Sequence, residues 1–276
     1  MIYRIEAALN RLVAFSSASS AENEAVDLYN ISLTLERASE IVLLTEACMS
    51  LCVALLESSP TDSDITRAVL MLLSRCCMRC ENREITVRFG VSGLCMIVLR
   101  DHKDLSEETL FATLDLAGTL AMDNGNTRQM MRPYIPYIAQ IMKDRSDSLQ
   151  LAFGSAVVIG SLVMLDTANA KLAAENDFIQ LLVSAFIRAI EKRKRLLQRC
   201  RTPQVARIRQ GEDADLCDTV MHWTRDALQK LILAPIPIID VKLEATNFGC
   251  YGMNVEVDEF KWKLTFERRK ITANWS

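Results

Sequence analysis

The sequence predicts an all-α protein built as a stack of helical repeats, with a small β-meander at its C-terminal end. Three observations carry that expectation. First, the chain repeats itself. Asn82 is answered by Asn126 and Asn169, at intervals of about 44 and 43 residues, and Ser63, Ser106 and Ser148 each open an apolar helix-like pattern at nearly the same spacing. Leu99 aligns in the same way with Met142 and then Ala185. One unit of this size cannot bury its apolar face alone, so neighbouring units must stack. Second, 50% of the residues are hydrophobic but only 6% are aromatic, and just 9 Gly and 6 Pro interrupt the chain, which suits helix packed on helix. Third, after Ala234-Pro235-Ile236-Pro237 the apolar period changes from that of a helix to that of a strand.

Residues 3–15 read as a first helix, with Ile5, Leu9, Leu12 and Val13 on one face. Arg4, Arg11 and the serine cluster ahead of Ala21 have some character of a mitochondrial presequence, but Glu6 and the helical fit favour a capping helix. Ser19 or Ser20 can cap the segment 22–37, which completes a short first repeat. Segments 40–57 and 63–80 form the second repeat, separated by a helix stop and restart at Ser58-Ser59-Pro60-Thr61-Asp62-Ser63. Segments 82–123 and 125–165 form the third and fourth, and a fifth opens at Asn169, so repeat boundaries fall near 38, 81, 124 and 168. By the period, the last helix of the fifth repeat should begin near residue 191, yet the next helix-like segment is Asp215 to Leu233; residues 191–213 read as a basic insertion. Beyond Pro237, Ile239, Val241, Leu243 and Ala245 alternate with charged residues, Met253, Val255 and Val257 form a second run, and Phe260, Trp262, Leu264 and Phe266 a third, with a turn or bulge at Asp258-Glu259. Two or three strands are not stable alone, so residues 235–276 are expected to pack on the last helix of a repeat domain that spans residues 1–234.

The residues of the repeat carry a resemblance. Glu108 to Gly118 is similar to the third helix of an armadillo repeat, Asn82-Arg83 through Gly90-Val91 resembles its short first helix and bend, and Tyr134-Ile135-Pro136-Tyr137-Ile138 resembles the start of its second helix. The resemblance to the armadillo family covers about residues 20–190 and is clearest over 81–145. It implies a right-handed α-solenoid of four to five repeats whose third helices line a concave face, and a protein that works by holding an extended or helical partner segment there. In the importin-α branch of the family that face carries a ladder of Trp and Asn. Here Phe111 stands at the Trp position and Asp115 at the Asn position, while the Trp position of the neighbours becomes Ala68 and Gly154. The ladder is absent, and classical import-signal binding is not expected. Asp27, Arg75, Phe111 and Asp115 are the candidate groove residues. A fold does not name a function, and the resemblance admits a co-chaperone that clasps heat-shock proteins, or an assembly factor for myosin or axonemal dynein, as an alternative to a scaffold or adaptor.

Composition narrows the function classes. The net charge of −3 gives the whole chain no strong pull toward nucleic acid. The longest apolar runs, such as Ala156 to Leu165, fall far short of the ~20 residues of a membrane span. Most of the nine cysteines lie in apolar helical stretches, as small hydrophobes, which favours a reducing compartment and a cytoplasmic or nuclear location. Cys76-Cys77-x-x-Cys80 lacks the further ligands that zinc needs; Cys76 and Cys80, four apart, read as one core face. Cys217 and His222 lie five apart and share a helix face poorly, whereas Asp218 is spaced to meet His222. No Ser-His-Asp set, phosphate-binding glycine loop or HExxH motif is present, so no enzyme and no cofactor are expected.

The basic segment stands apart. Arg188, Lys192, Arg195 and Arg199 are spaced to share one helix face, and with Arg193, Lys194, Arg201, Arg207 and Arg209 they make about nine cations against Glu191 alone. That density suits an anionic partner: an acidic protein segment first, RNA or an anionic lipid surface as the alternative through residues 188–209. Lys192-Arg193-Lys194-Arg195 also resembles a short nuclear localisation signal.

Overall fold

A computed structural model describes residues 1–15, 21–36, 43–59, 61, 63–122, 125–198, 204–234, 253–258 and 261–266. Thirteen α-helices among them group into five units. The first pairs α1 (Ile2–Phe15) with α2 (Ala21–Glu36), and the second pairs α3 (Glu46–Ser58) with α4 (Asp64–Cys76). The third holds α5 (Cys80–Arg88), α6 (Val91–Arg100) and α7 (Glu107–Leu120); the fourth, α8 (Gly125–Met130), α9 (Tyr134–Asp144) and α10 (Leu149–Val163). The fifth holds α11 (Thr167–Glu175), α12 (Phe178–Gln198) and α13 (Gln204–Leu233). The breaks at Cys77–Arg79, before Gly125 and at Met164–Asp166 fall where the period placed them; the expected boundary near 38 lies outside the described residues.

The helix starts follow from local chemistry. The hydroxyls of Ser63, Ser106 and Ser148 accept the backbone N–H of Thr66, Thr109 and Leu151 at 3.1, 3.3 and 3.0 Å, capping α4, α7 and α10. Thr45 and Asp166 cap α3 and α11 in the same way. Gly90 takes φ 77°, a left-handed conformation that turns α5 sharply into α6.

One continuous apolar core runs from Ile5 in α1 to Leu231 in α13. Within it α2, α4, α7, α10 and α13 stack in that order, each against the next, and form one layer of the array. The α7–α10 contact is close: a Cβ on Gly154 would lie 3.1 Å from that of Leu114. Polar groups tie successive units together. Asn82 accepts the N–H of Leu44 and donates to the Cys76 carbonyl, at 2.8 and 2.7 Å. Tyr134 of α9, with its phenol pushed up in pKa by burial, donates to the carbonyl of Ser92 in α6.

Several expectations need correction. The first helix of the second unit starts at Glu46, behind its Thr45 cap, rather than at residue 40. Helix α4 ends at Cys76 because the chain turns over Cys77–Arg79, so Cys76 is buried while Cys80 opens the next helix and is exposed. Asn126 is exposed; its place in the buried series falls to Thr127, the third residue of α8 as Asn82 is of α5 and Asn169 of α11. The segment expected as a loop insertion is helix on both sides of residues 199–203, since α12 runs on to Gln198 and α13 starts at Gln204 rather than near Asp215. Packing explains this length: Leu149, Ala189, Cys217 and Val220 form a second small core, with Phe153, Leu196, Leu216 and Met221 against it.

Strands β1 (Met253–Asp258) and β2 (Lys261–Phe266) pair antiparallel, with Met253, Val255 and Val257 opposite Phe266, Leu264 and Trp262. The expected first strand, 239–245, and Glu259 of the expected turn lie outside the described residues. No helix among the described residues is long and apolar enough to cross a membrane.

Candidate functional site

The stacked layer carries a cavity of about 370 Å³ whose walls come from four successive helices. Val26 and Tyr29 enter from α2, Arg67 and Met71 from α4, Phe111 from α7, and Gln150 from α10. These residues fall there because each layer helix turns its most apolar face into the core and leaves the adjoining flank to the cavity. Val26 and Tyr29 are exposed, at 56% and 42%, which is unusual for large apolar side chains and marks this end of the groove as uncovered. At the rim stand Asp64, paired with Arg67, and Glu108.

From the cavity an aromatic line continues along the layer. The ring of Phe111 lies 5.9 Å from that of Phe153 in α10, and Phe153 lies 6.4 Å from Trp223 in α13, with the exposed His222 edge-on to that indole at 5.5 Å. Phe153 and Trp223 were not among the expected groove residues. The period pointed to Gly154, one residue away, and the longer α13 shifted Trp223 out of register; the sequence signal that could have found them is the 42-residue step from Phe111 to Phe153.

The four expected groove residues separate. Phe111 lines the cavity. Asp115 instead joins α4 to α7: it accepts from the Ser74 hydroxyl at 2.6 Å and pairs with Arg75 at 3.8 Å. Asp27 is exposed on α2 and faces Arg11 of α1 at 3.8 Å.

The basic segment forms a second cavity, of about 380 Å³, with Arg188, Lys192, Arg195 and Leu196 of α12 on one wall and Asp147, Leu149 and Asp213 on the others. The structure thus confines Arg188, Lys192 and Arg195 to one face, as their spacing suggested. It also brings acidic residues that lie far away in sequence. Lys192 meets Asp213 at 2.7 Å, Arg193 meets Asp218 at 2.5 Å and Arg195 meets Glu191 at 3.9 Å, so Glu191 is not the sole counter-charge. Lys194 is exposed, and Arg199 and Arg201 lie outside the described residues. Burial pushes the Arg188 guanidinium down in pKa, against the pull of Asp147.

Among the described residues the cysteines and histidines hold no assembled centre. Cys217 is buried in the small core and His222 exposed, while Asp218, expected beside His222, is taken by Arg193. Among the described residues no group of three or more His, Cys, Asp or Glu side chains is placed to hold a metal ion.

Comparison with solved structures places this architecture. A designed armadillo repeat protein, YIII(Dq)4CqI, matches 84% of this chain and 100% of its own, with a TM-score of 0.53 at 13% identity. A second designed armadillo repeat protein, YIII(Dq.V1)4CPAF, solved in complex with the peptide (KR)4, matches 79% of this chain and 81% of its own, with a TM-score of 0.50 at 12% identity. An engineered protein from a structural genomics consortium matches 81% of this chain and 96% of its own, with a TM-score of 0.52 at 14% identity. No protein-family profile and no curated protein matches the sequence. The chain therefore has an armadillo-like helical repeat fold, and at these identities the likeness is one of fold alone.

Proposed function

We propose that this protein is a binding scaffold whose groove along α2, α4, α7, α10 and α13 holds an extended segment of a partner protein. The observation that carries this reading is that Phe111 both lines an open cavity with Tyr29 and Met71 and begins the line of ring contacts through Phe153 to Trp223. Aromatic anchors in a partly enclosed slot are the features that supply most binding energy at protein interfaces. An apolar side chain of the partner would fill the cavity, and a neighbouring Lys or Arg would meet Glu108 and Asp64 at its rim. The fold likeness to a designed repeat protein that holds a (KR)4 peptide supports a peptide as the occupant. The free, buried thiols among the described cysteines favour a reducing compartment such as the cytoplasm.

A peptide-display selection on the parent protein tests the reading. Enriched peptides should carry an apolar residue beside a basic one and bind Phe111→Asp at least tenfold more weakly, about 1.4 kcal/mol or more. Peptides that bind the parent and this variant equally would overturn it.

A further inference from the structure

The second cavity has a chemistry of its own. Three cations from successive turns of α12 converge on it, and two of them are incompletely matched. The Nε of Arg188 is buried with no hydrogen-bond partner among the described residues, and Arg195 is held loosely by its own helix, its guanidinium 3.9 Å from the Glu191 carboxylate and its Nε donating to the Glu191 carbonyl at 3.4 Å. Lys192 is held by Asp213. Leu149 and Leu196 provide apolar wall between the charges. A half-buried guanidinium with an unfilled donor is costly to leave unpaired, and a planar carboxylate matches its fork.

We propose that this cavity is an oxyanion site that takes the carboxylate side chains of an acidic protein segment, with Arg188 and Arg195 as the binding forks and Lys192 oriented by Asp213. An acidic protein segment fits better than a nucleic acid backbone because Leu149 and Leu196 match the methylenes of Glu side chains. The cavity also adjoins the groove: Leu149 lines the one and its neighbour Gln150 lines the other, both in the first turn of α10. The site does not depend on the groove being occupied.

The experiment is fluorescence anisotropy of the full chain with a labelled octaglutamate peptide, at low and physiological salt. A labelled oligouridylate and vesicles of anionic phospholipid serve as competing probes. The parent should bind octaglutamate, and Arg188→Gln with Arg195→Gln should weaken it by about tenfold or more, the equivalent of one charge-assisted hydrogen bond. Arg195→Glu alone, at a side chain that is 68% exposed, keeps the test valid should the double variant fold poorly, and should weaken binding comparably. Absence of octaglutamate binding by the parent, equal binding by the folded variants, or tighter binding of the RNA or the vesicles would each overturn the proposal. None of these results bears on the Phe111 groove, whose peptides are selected separately.

Discussion

Asn82 and Asn169, two repeat periods apart, perform the same task with different partners. Each is fully buried at the third position of the first helix of its unit, and each reaches back to the preceding unit. Asn82 accepts the Leu44 N–H and donates to the Cys76 carbonyl. Asn169 donates to the carbonyls of Arg128 and Leu162, at 3.1 and 2.9 Å, and accepts from the Arg132 Nε at 2.6 Å. A side-chain amide is suited to this place because it presents donor and acceptor together, and both are needed where backbone groups of two units are buried against each other.

Removing either amide should therefore be costly. Asn82→Ala and Asn169→Ala should each lower the unfolding free energy by about 2–3 kcal/mol, from lost bonds and stranded backbone groups. Asn126→Ala, at the exposed position in the same series, should fall within about 0.5 kcal/mol of the parent. Urea denaturation measures all three; equal losses at Asn126 and Asn82 would contradict the assignment.

The α7–α10 crossing makes opposite demands at its two sides. Leu114 is fully buried, and Leu114→Ala should cost about 2–5 kcal/mol. Facing it, Gly154→Ala places a Cβ 3.1 Å from the Leu114 Cβ, which no rotamer change relieves. Overpacking of about 1–3 kcal/mol then outweighs the gain of about 0.5–1 kcal/mol in helix propensity, so this variant too should melt below the parent. A raised melting temperature for Gly154→Ala would show that the helices separate freely there.

Acid should loosen the joint between the third and fourth units. His102 is buried, its Nε2 lies 2.8 Å from the Asp144 carboxylate, and its Nδ1 lies 3.2 Å from the Leu99 carbonyl. The hydrogen bond from His102, then that from Gln140, holds the Asp144 carboxyl below its usual value. A carboxylate with a depressed folded pKa stabilises the fold above its ordinary value, about 4, and that contribution is lost as pH falls through the lowered one. Asp144→Asn should therefore reduce the melting temperature at pH 7, with the difference from the parent shrinking below about pH 4. A difference that stays constant across that range would argue against the linkage.

Thiol chemistry should be selective. Burial raises the thiols of Cys76 and Cys95 to about 12 and that of Cys77 to about 11, and pushes Cys52 well up. Cys80 is the one exposed thiol among the described cysteines. Iodoacetamide at pH 8, followed by peptide mapping, should modify Cys80 first of the described seven, the others reacting only on unfolding. Early modification of Cys76 or Cys95 in the folded protein would count against the packing described.

The parts of the fold that were legible in the sequence are those written locally and repeatedly. The serine caps at 63, 106 and 148 report helix starts because a cap needs only the N–H three residues on. Phe111 stood out because its repeat resembles the family pattern most closely, and in the fold it lines the cavity. The contacts of Asp115 were not legible because a carboxylate on a layer helix looks alike whether it faces solvent or the preceding unit, and its partners Ser74 and Arg75 lie about 40 residues away.

The sequence by itself determined the all-helical array, its period and its fold class, because apolar spacing within a helix and the need of each repeat to stack are properties of short segments. Only the tertiary structure decided what the basic segment is. Residues 188–198 look like an unpartnered run of cations until α13 folds back along them, where Asp213 and Asp218 meet Lys192 and Arg193 and Leu196 joins a small core. Charge pairing and burial depend on which helices meet, and those meetings bring together residues more than 20 positions apart that no local pattern connects.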